Sequence, residues 1–253
     1  MMPAHAQRCD AALDPTAACL CGAEHAPPWT RRGFLKGAAA GAGAGLLAGL
    51  ALPGAALAEA PTRTGLDPEA AIEALMDGNR RFVRGAMASF KENLPKLREK
   101  TAPKQQPFAQ LLSCADSRVP VELVFDQSIG RLFVTRVAGN VANADIMASI
   151  EYGVAQLHTP AIMVLGHSGC GAVEAAIAGK GVPGQISTLY RSLRPAVDQA
   201  GPDVEAVVKA NAKIQAGLLR TSSPVLAERI KKGKLKIVAG YYELRSGVVT
   251  LLD

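Results

Sequence analysis

The chain of 253 residues carries 28 Lys and Arg against 22 Asp and Glu, with 49% hydrophobic residues but only 4% aromatic ones. That apolar fraction supports a sizeable core and excludes a disordered chain, while the length fits one large domain or two small ones. The formal charge of +6 is modest. Its one dense basic run, Lys231, Lys232, Lys234 and Lys236, has no interleaved aromatics, so it reads as a solvated helix end and not as a nucleic-acid platform.

Residues 1–58 read as a leader and not as fold. Thr30-Arg31-Arg32-Gly33-Phe34-Leu35-Lys36 precedes an uncharged apolar stretch from Gly37 to Leu57, and Ala56-Leu57-Ala58 ends it at signal-peptidase spacing. A basic start, an apolar middle and an A-x-A end make a secretory signal. The paired arginines followed by Phe-Leu-Lys resemble a twin-arginine signal, which implies cleavage after Ala58 and export to the periplasm or the exterior. A membrane anchor is the alternative, since the stretch reaches the required length of about 20 residues. Gly41, Gly43, Gly45 and Gly49 leave it only weakly hydrophobic, so membrane contact is expected only during transit. Cys9, Cys19, Cys21, His5 and His25 leave with the leader, and 24 basic and 19 acidic residues remain. The mature part then holds two cysteines, Cys114 and Cys170, and two histidines, His158 and His167.

Residues 59–66 read as a linker and 67–253 as a single domain. Asp67-Pro68 opens a helix, Asp as N-cap and Pro in the first turn. Ile72, Leu75, Met76, Asn79, Phe82 and Val83 follow at helical spacing, and Gly85 ends it. A basic, proline-punctuated segment over 91–107 leads to a strand over 108–113. Further strands are expected over 132–137, 161–166 and 235–240. Helical patterns fill 143–158, 203–220 and 224–232; the first of these places Ile146, Ile150, Val154 and Leu157 on one face, with Pro160 beyond its end. The tail, 238–252, carries an Arg245-Ser246-Gly247 turn between two strand-like runs and reads as a hairpin. Short apolar strands alternating with helices define an α/β fold, a mostly parallel central sheet flanked by helices.

Two of these strands run into reactive side chains. The first meets Cys114-Ala115-Asp116-Ser117-Arg118, and the third meets His167-Ser168-Gly169-Cys170-Gly171. Ligands of open α/β sheets collect beyond the carboxyl ends of the strands, so both clusters are expected at one crevice. Two thiolates and an imidazole suit Zn²⁺ and leave a fourth tetrahedral position free. Two alternatives stand beside this one. The only two mature cysteines of an exported protein can form a disulfide, and a structural zinc site would recruit His158 as its fourth ligand. His158, at a helix end before Thr159-Pro160, reads better as a surface residue or a C-terminal cap.

Cys-x-Asp-x-Arg followed some fifty residues later by His-x-x-Cys resembles the β-carbonic anhydrase signature. Ser117-Arg118-Val119-Pro120, Val134-Thr135-Arg136-Val137-Ala138-Gly139-Asn140, Ile150-Glu151-Tyr152-Gly153-Val154 and Val164-Leu165-Gly166-His167 are similar to that family as well. The resemblance runs from about Asp67 to the C-terminus and implies zinc-dependent, reversible hydration of carbon dioxide to bicarbonate and a proton by a zinc-bound hydroxide. It assigns Cys114, His167 and Cys170 to the metal. Asp116 would accept a hydrogen bond from the hydroxide while Arg118 holds it off the metal, or would ligate zinc in a closed form. Gln105, nine residues before Cys114, would position substrate; Phe133 and Tyr152 would wall the pocket, with Ala138 where a larger aliphatic is common. Leu111 replaces a tryptophan of members that bear an inhibitory bicarbonate site, which implies the uninhibited type. A homodimer or higher even-numbered oligomer is implied too, with an N-terminal helical arm ahead of Cys114 available for exchange.

Two thiolates donate more charge than imidazoles, so activity is expected to rise on the alkaline side. No histidine is assignable as a proton shuttle. Two competing readings remain at this point: turnover of a related heterocumulene such as carbonyl sulfide or carbon disulfide, and a metal-binding or redox protein without turnover. Asp116 and Arg118 beside the cluster weigh against the latter.

Overall fold

The computed structural model describes residues 65–252; the expected leader over 1–58, and all of the expected linker but its last two residues, lie outside the described residues. Helix α1 (Pro68–Val83) opens as its sequence requires: the Asp67 carboxylate accepts the Ala70 N–H at 2.8 Å and Pro68 sits in the first turn. Then follow α2 (Leu94–Thr101), β1 (Ala109–Ser113), α3 (Val121–Val124), β2 (Leu132–Arg136), α4 (Ala144–Ala155) and β3 (Ala161–His167). The chain continues through α5 (Gly171–Ala178), α6 (Ser187–Ala200), α7 (Val204–Ser222) and α8 (Pro224–Lys231) to β4 (Lys236–Tyr242) and β5 (Val249–Leu251).

The strands lie in the order β2-β1-β3-β4-β5. The first four are mutually parallel; β5 turns back antiparallel on β4, Tyr242 facing Val249, as the Arg245-Ser246-Gly247 turn requires. From β1 the chain crosses to one side for β2, then returns to set β3 on the other side of β1. That reversal opens a crevice beyond the carboxyl ends of β1 and β3.

Side-chain alternation along β3 sorts the core into two layers. Met163 and Leu165 pack with Ala71 and Leu75 of α1; Ile162 and Val164 pack with Ile150 and Val154 of α4 and Leu219 of α7. The first helix ahead of Cys114 is therefore anchored on its own sheet, and Gly78 brings it against the Phe125 carbonyl. By contrast α2 buries none of its residues, so it is the part of the expected arm left free of its own core.

Four helices have no counterpart among the expected elements: α2, the single turn α3, α5 and α6. The last of these tolerates Pro195 inside it. Helix α4 stops at Ala155, short of the expected 158, because His158 adopts the left-handed region at φ +57° ahead of Pro160. The basic run marks a helix end as expected: α8 stops at Lys231, Lys232 pairs with Glu228 at 2.9 Å, and Lys236 reaches Glu69. Among the described residues no helix is long and apolar enough to cross a membrane.

Candidate metal centre

Cys114 follows directly on β1, His167 is the last residue of β3, and Cys170 caps the amino end of α5. Gly169 makes the short step from His167 to Cys170 possible by taking φ +58°, a conformation that costs glycine nothing. All three side chains are buried, and their donor atoms lie within 4.8 Å of one another. Both cysteines are free thiols, so the disulfide alternative is set aside.

The three donors fit a small, borderline-soft cation. His167 Nδ1 lies 2.9 Å from the Ser168 carbonyl and donates to it, which leaves Nε2 as the lone-pair nitrogen. That Nε2 is buried with no hydrogen-bond partner, a costly state for a polar atom unless something binds it. The hydrogen bond from Cys170 pulls the Cys114 thiol far down, and the same contact pushes Cys170 up. The pair thus takes one negative charge readily and resists a second unless a cation compensates. Gly139 N–H adds a bond to Cys114 Sγ at 3.4 Å. Two sulfurs and one imidazole nitrogen match zinc, with a coordination position to spare.

Beside the donors stands Asp116, its Oδ2 4.0 Å from His167 Nε2. Arg118 holds both carboxylate oxygens, Nε to Oδ1 at 2.9 Å and Nη2 to Oδ2 at 2.7 Å, and its backbone N–H adds a third bond at 2.9 Å. This guanidinium grip keeps Asp116 well below the usual carboxylate range. Arg136 braces the same loop through its backbone, Nε donating to the Cys114 carbonyl at 2.9 Å and Nη2 to the Asp116 carbonyl at 2.5 Å. Sequence reasoning placed Arg136 only among flanking similarities; its signal was a cation at the carboxyl end of an expected strand.

The expected pocket residues lie elsewhere in the chain. Gln105 is exposed ahead of the amino end of β1, the opposite end of the sheet from Cys114. Phe133 pairs in register with Gln110, four residues short of Cys114 or about 13 Å along the strand. Its ring stacks obliquely 6.2 Å from that of Tyr152, which is 50% exposed. One chain alone thus brings Cys114, Asp116, Arg118, His167 and Cys170 together and leaves Gln105, Phe133 and Tyr152 apart from them. His158 precedes the amino end of β3, so within this chain it cannot supply a fourth ligand.

The family model described as carbonic anhydrase matches residues 109–249. Carbonic anhydrase 2 of Mycobacterium tuberculosis is 37% identical over 195 residues, covering 74% of this chain and 94% of that protein. A β-carbonic anhydrase of Aspergillus fumigatus superposes with a TM-score of 0.59 at 27% identity, over 72% of this chain and 90% of that one. A β-carbonic anhydrase of Sordaria macrospora, described as tetrameric, gives a TM-score of 0.58 at 25% identity over 63% of this chain and 87% of its own.

Proposed function

The chain belongs to the β-class carbonic anhydrases, and from that premise we propose that Cys114, His167 and Cys170 hold a catalytic zinc ion beside the Asp116–Arg118 pair. The reaction is the reversible hydration of carbon dioxide to bicarbonate and a proton. The observation that carries the metal assignment is the buried, unpartnered His167 Nε2 facing two free thiols.

Zinc, when bound, supplies a Lewis acid that brings the pKa of a coordinated water down from bulk toward ~7, less far here because two ligands are anionic. The protein supplies the rest. The Ser168 carbonyl fixes the His167 tautomer, so Nε2 is always the free lone pair. Asp116, kept ionised and gripped by Arg118, is an acceptor at the edge of the cluster, suited to orient a hydroxylic hydrogen and not to ligate. Burial of all three donors keeps bulk water off the two sulfurs and the imidazole nitrogen. The proton leaves to buffer, since the other histidine of the described residues sits at the far end of β3.

Assembly follows from the same placement. A homodimer or higher even oligomer is supported by the edge of β2 that has no neighbouring strand among the described residues, the half-exposed Tyr152 stacked on Phe133, and the location of Gln105, which only a second chain can bring to the donors. Residues 1–58 are read as a twin-arginine export signal, removed after Ala58, on the strength of Arg31-Arg32 and the weakly hydrophobic stretch that follows.

Metal analysis with thiol titration and stopped-flow hydration tests the central reading. One zinc per chain, slow thiol reaction until a chelator is added, and fast hydration lost in Cys170→Ala are the expected results. Metal-free protein with Cys114 and Cys170 bonded to each other would overturn it.

A further inference from the structure

The loop that touches Cys114 is held from α7 by two buried amides. Asn211 Nδ2 donates to the Gly139 carbonyl at 2.9 Å. Gln215 Nε2 donates to Asn211 Oδ1 at 3.1 Å and to the Ser192 carbonyl at 3.4 Å, while its Oε1 accepts the Ala142 N–H at 2.9 Å. The direction of this chain of bonds is fixed, because a backbone N–H can only donate. Ala142 therefore orients Gln215, Gln215 orients Asn211, and Asn211 must present its NH₂ to Gly139. Both residues are only 1% exposed.

Two polar residues one helical turn apart interrupt a face otherwise built of Val207, Val208, Ala212, Ala216 and Leu219. Such groups cost stability unless fully paired, and these are paired to the 139–142 loop and to α6. Gly139 itself leaves little slack: it sits at φ +76°, and the Leu193 methyls stand 3.2 and 3.3 Å from where a Cβ would be. The residue clamped in this way is the one whose N–H meets Cys114 Sγ.

We propose that Asn211, braced by Gln215, is a positioning residue for Cys114: by fixing Gly139 it keeps an N–H bond on the sulfur and so sets how much charge that sulfur gives to the metal. The inference rests on the reading of Cys114 as a zinc ligand. An N–H···S bond withdraws charge from a thiolate; without it the sulfur is the stronger donor and the metal the weaker acid.

Cobalt-substituted protein provides a readout that mere loss of stability would not move, the sulfur-to-cobalt charge-transfer band in the near ultraviolet. Asn211→Leu, close to Asn in volume, is expected to shift that band to longer wavelength and to raise the alkaline midpoint of hydration by the zinc form by ~0.5 pH unit, part of the worth of one hydrogen bond. Gln215→Met, which spares the Asn211–Gly139 bond, is expected to give smaller shifts of the same sign. Asn79→Leu removes a comparable buried amide, one that bonds the Val124 and Gly247 carbonyls and the Val249 N–H away from the donors. It should lower Tm and leave band and midpoint in place. Unmoved band and midpoint in Asn211→Leu, or in Gln215→Met should Asn211→Leu not fold, would overturn the proposal. A wild-type cobalt form with no thiolate band at all would instead defeat the zinc-ligand reading beneath it.

Discussion

Arg118 closes a two-pronged grip on Asp116 and, with the same Nη2 that reaches Oδ2, also donates to the Gly169 carbonyl at 2.9 Å. One side chain thereby ties the loop after β1 to the turn that carries Cys170. Arg118→Ala frees the carboxylate to swing toward the donors and loosens that turn. Stopped-flow hydration is expected to fall at least ~10-fold, the scale of one lost charge-assisted bond in a reacting site. Arg118→Lys should restore only part of the rate, because an ammonium cannot hold both oxygens in one plane. A wild-type rate in Arg118→Ala would show that Asp116 needs no such restraint.

The pH dependence of turnover should carry no limb from Asp116. Its carboxyl is held ionised well below the ordinary range, so it stays charged wherever the enzyme is folded and active. With two sulfurs on the metal, the hydration rate is expected to climb through neutrality to a midpoint above ~7. A profile flat from pH 6 to 9 would contradict the proposed donor set.

Asp126 offers a separate test of folding. Burial raises its pKa, but the Ala88 and Ser89 N–H groups and Arg81 outweigh that and bring it down to about 2. A depressed carboxylate stabilises the fold fully above its unfolded value, 3.8, and loses that contribution as pH falls through the folded one. Asp126→Asn, tolerated at φ +46°, should cost about 2 kcal/mol at pH 7. In urea melts the gap to wild type should close between pH 4 and pH 2; a constant gap would mean the charge is not what matters.

Gly78 tests how α1 is seated. A Cβ there would stand 1.8 Å from the Phe125 carbonyl oxygen, a backbone atom with nowhere to go. Gly78→Ala should therefore destabilise by ~3 kcal/mol despite its better helix propensity. Unchanged or raised Tm would mean that α1 does not pack on this surface.

Much of this architecture was legible in the residues. Apolar runs such as 161–166, short and next to proline and glycine, read as buried strands, and their alternation with helical patterns makes the sheet parallel with helices on both faces. The donors were legible because Cys114 and His167–Cys170 sit where those runs stop. Helix α2 escaped notice because it buries nothing and so has no apolar period; only Asn93, whose side chain accepts the Lys96 N–H, and Pro95 mark it. Pro195 hid α6, and the alanines of α5 leave no contrast between faces. Asn211 and Gln215 belong to no motif in the sequence; their one signal is a four-residue spacing on an apolar helix face, the sign of a buried network. Gln105, Phe133 and Tyr152 cannot be joined to the donors by any reading of one chain, because in one chain they are not neighbours.

The donors stand at the ends of two strands paired side by side within the sheet, yet 56 positions separate Cys114 from Cys170 along the chain. An ion held by both fastens a long loop shut, and it does so only after β1 and β3 have met. Zinc held there would act as a thermodynamic lever on the fold: each tenfold excess over its dissociation constant would deepen the native well by about 1.4 kcal/mol, less whatever the unfolded thiols and imidazole bind. Scarcity of the metal would be felt as lowered melting temperature as well as lost turnover.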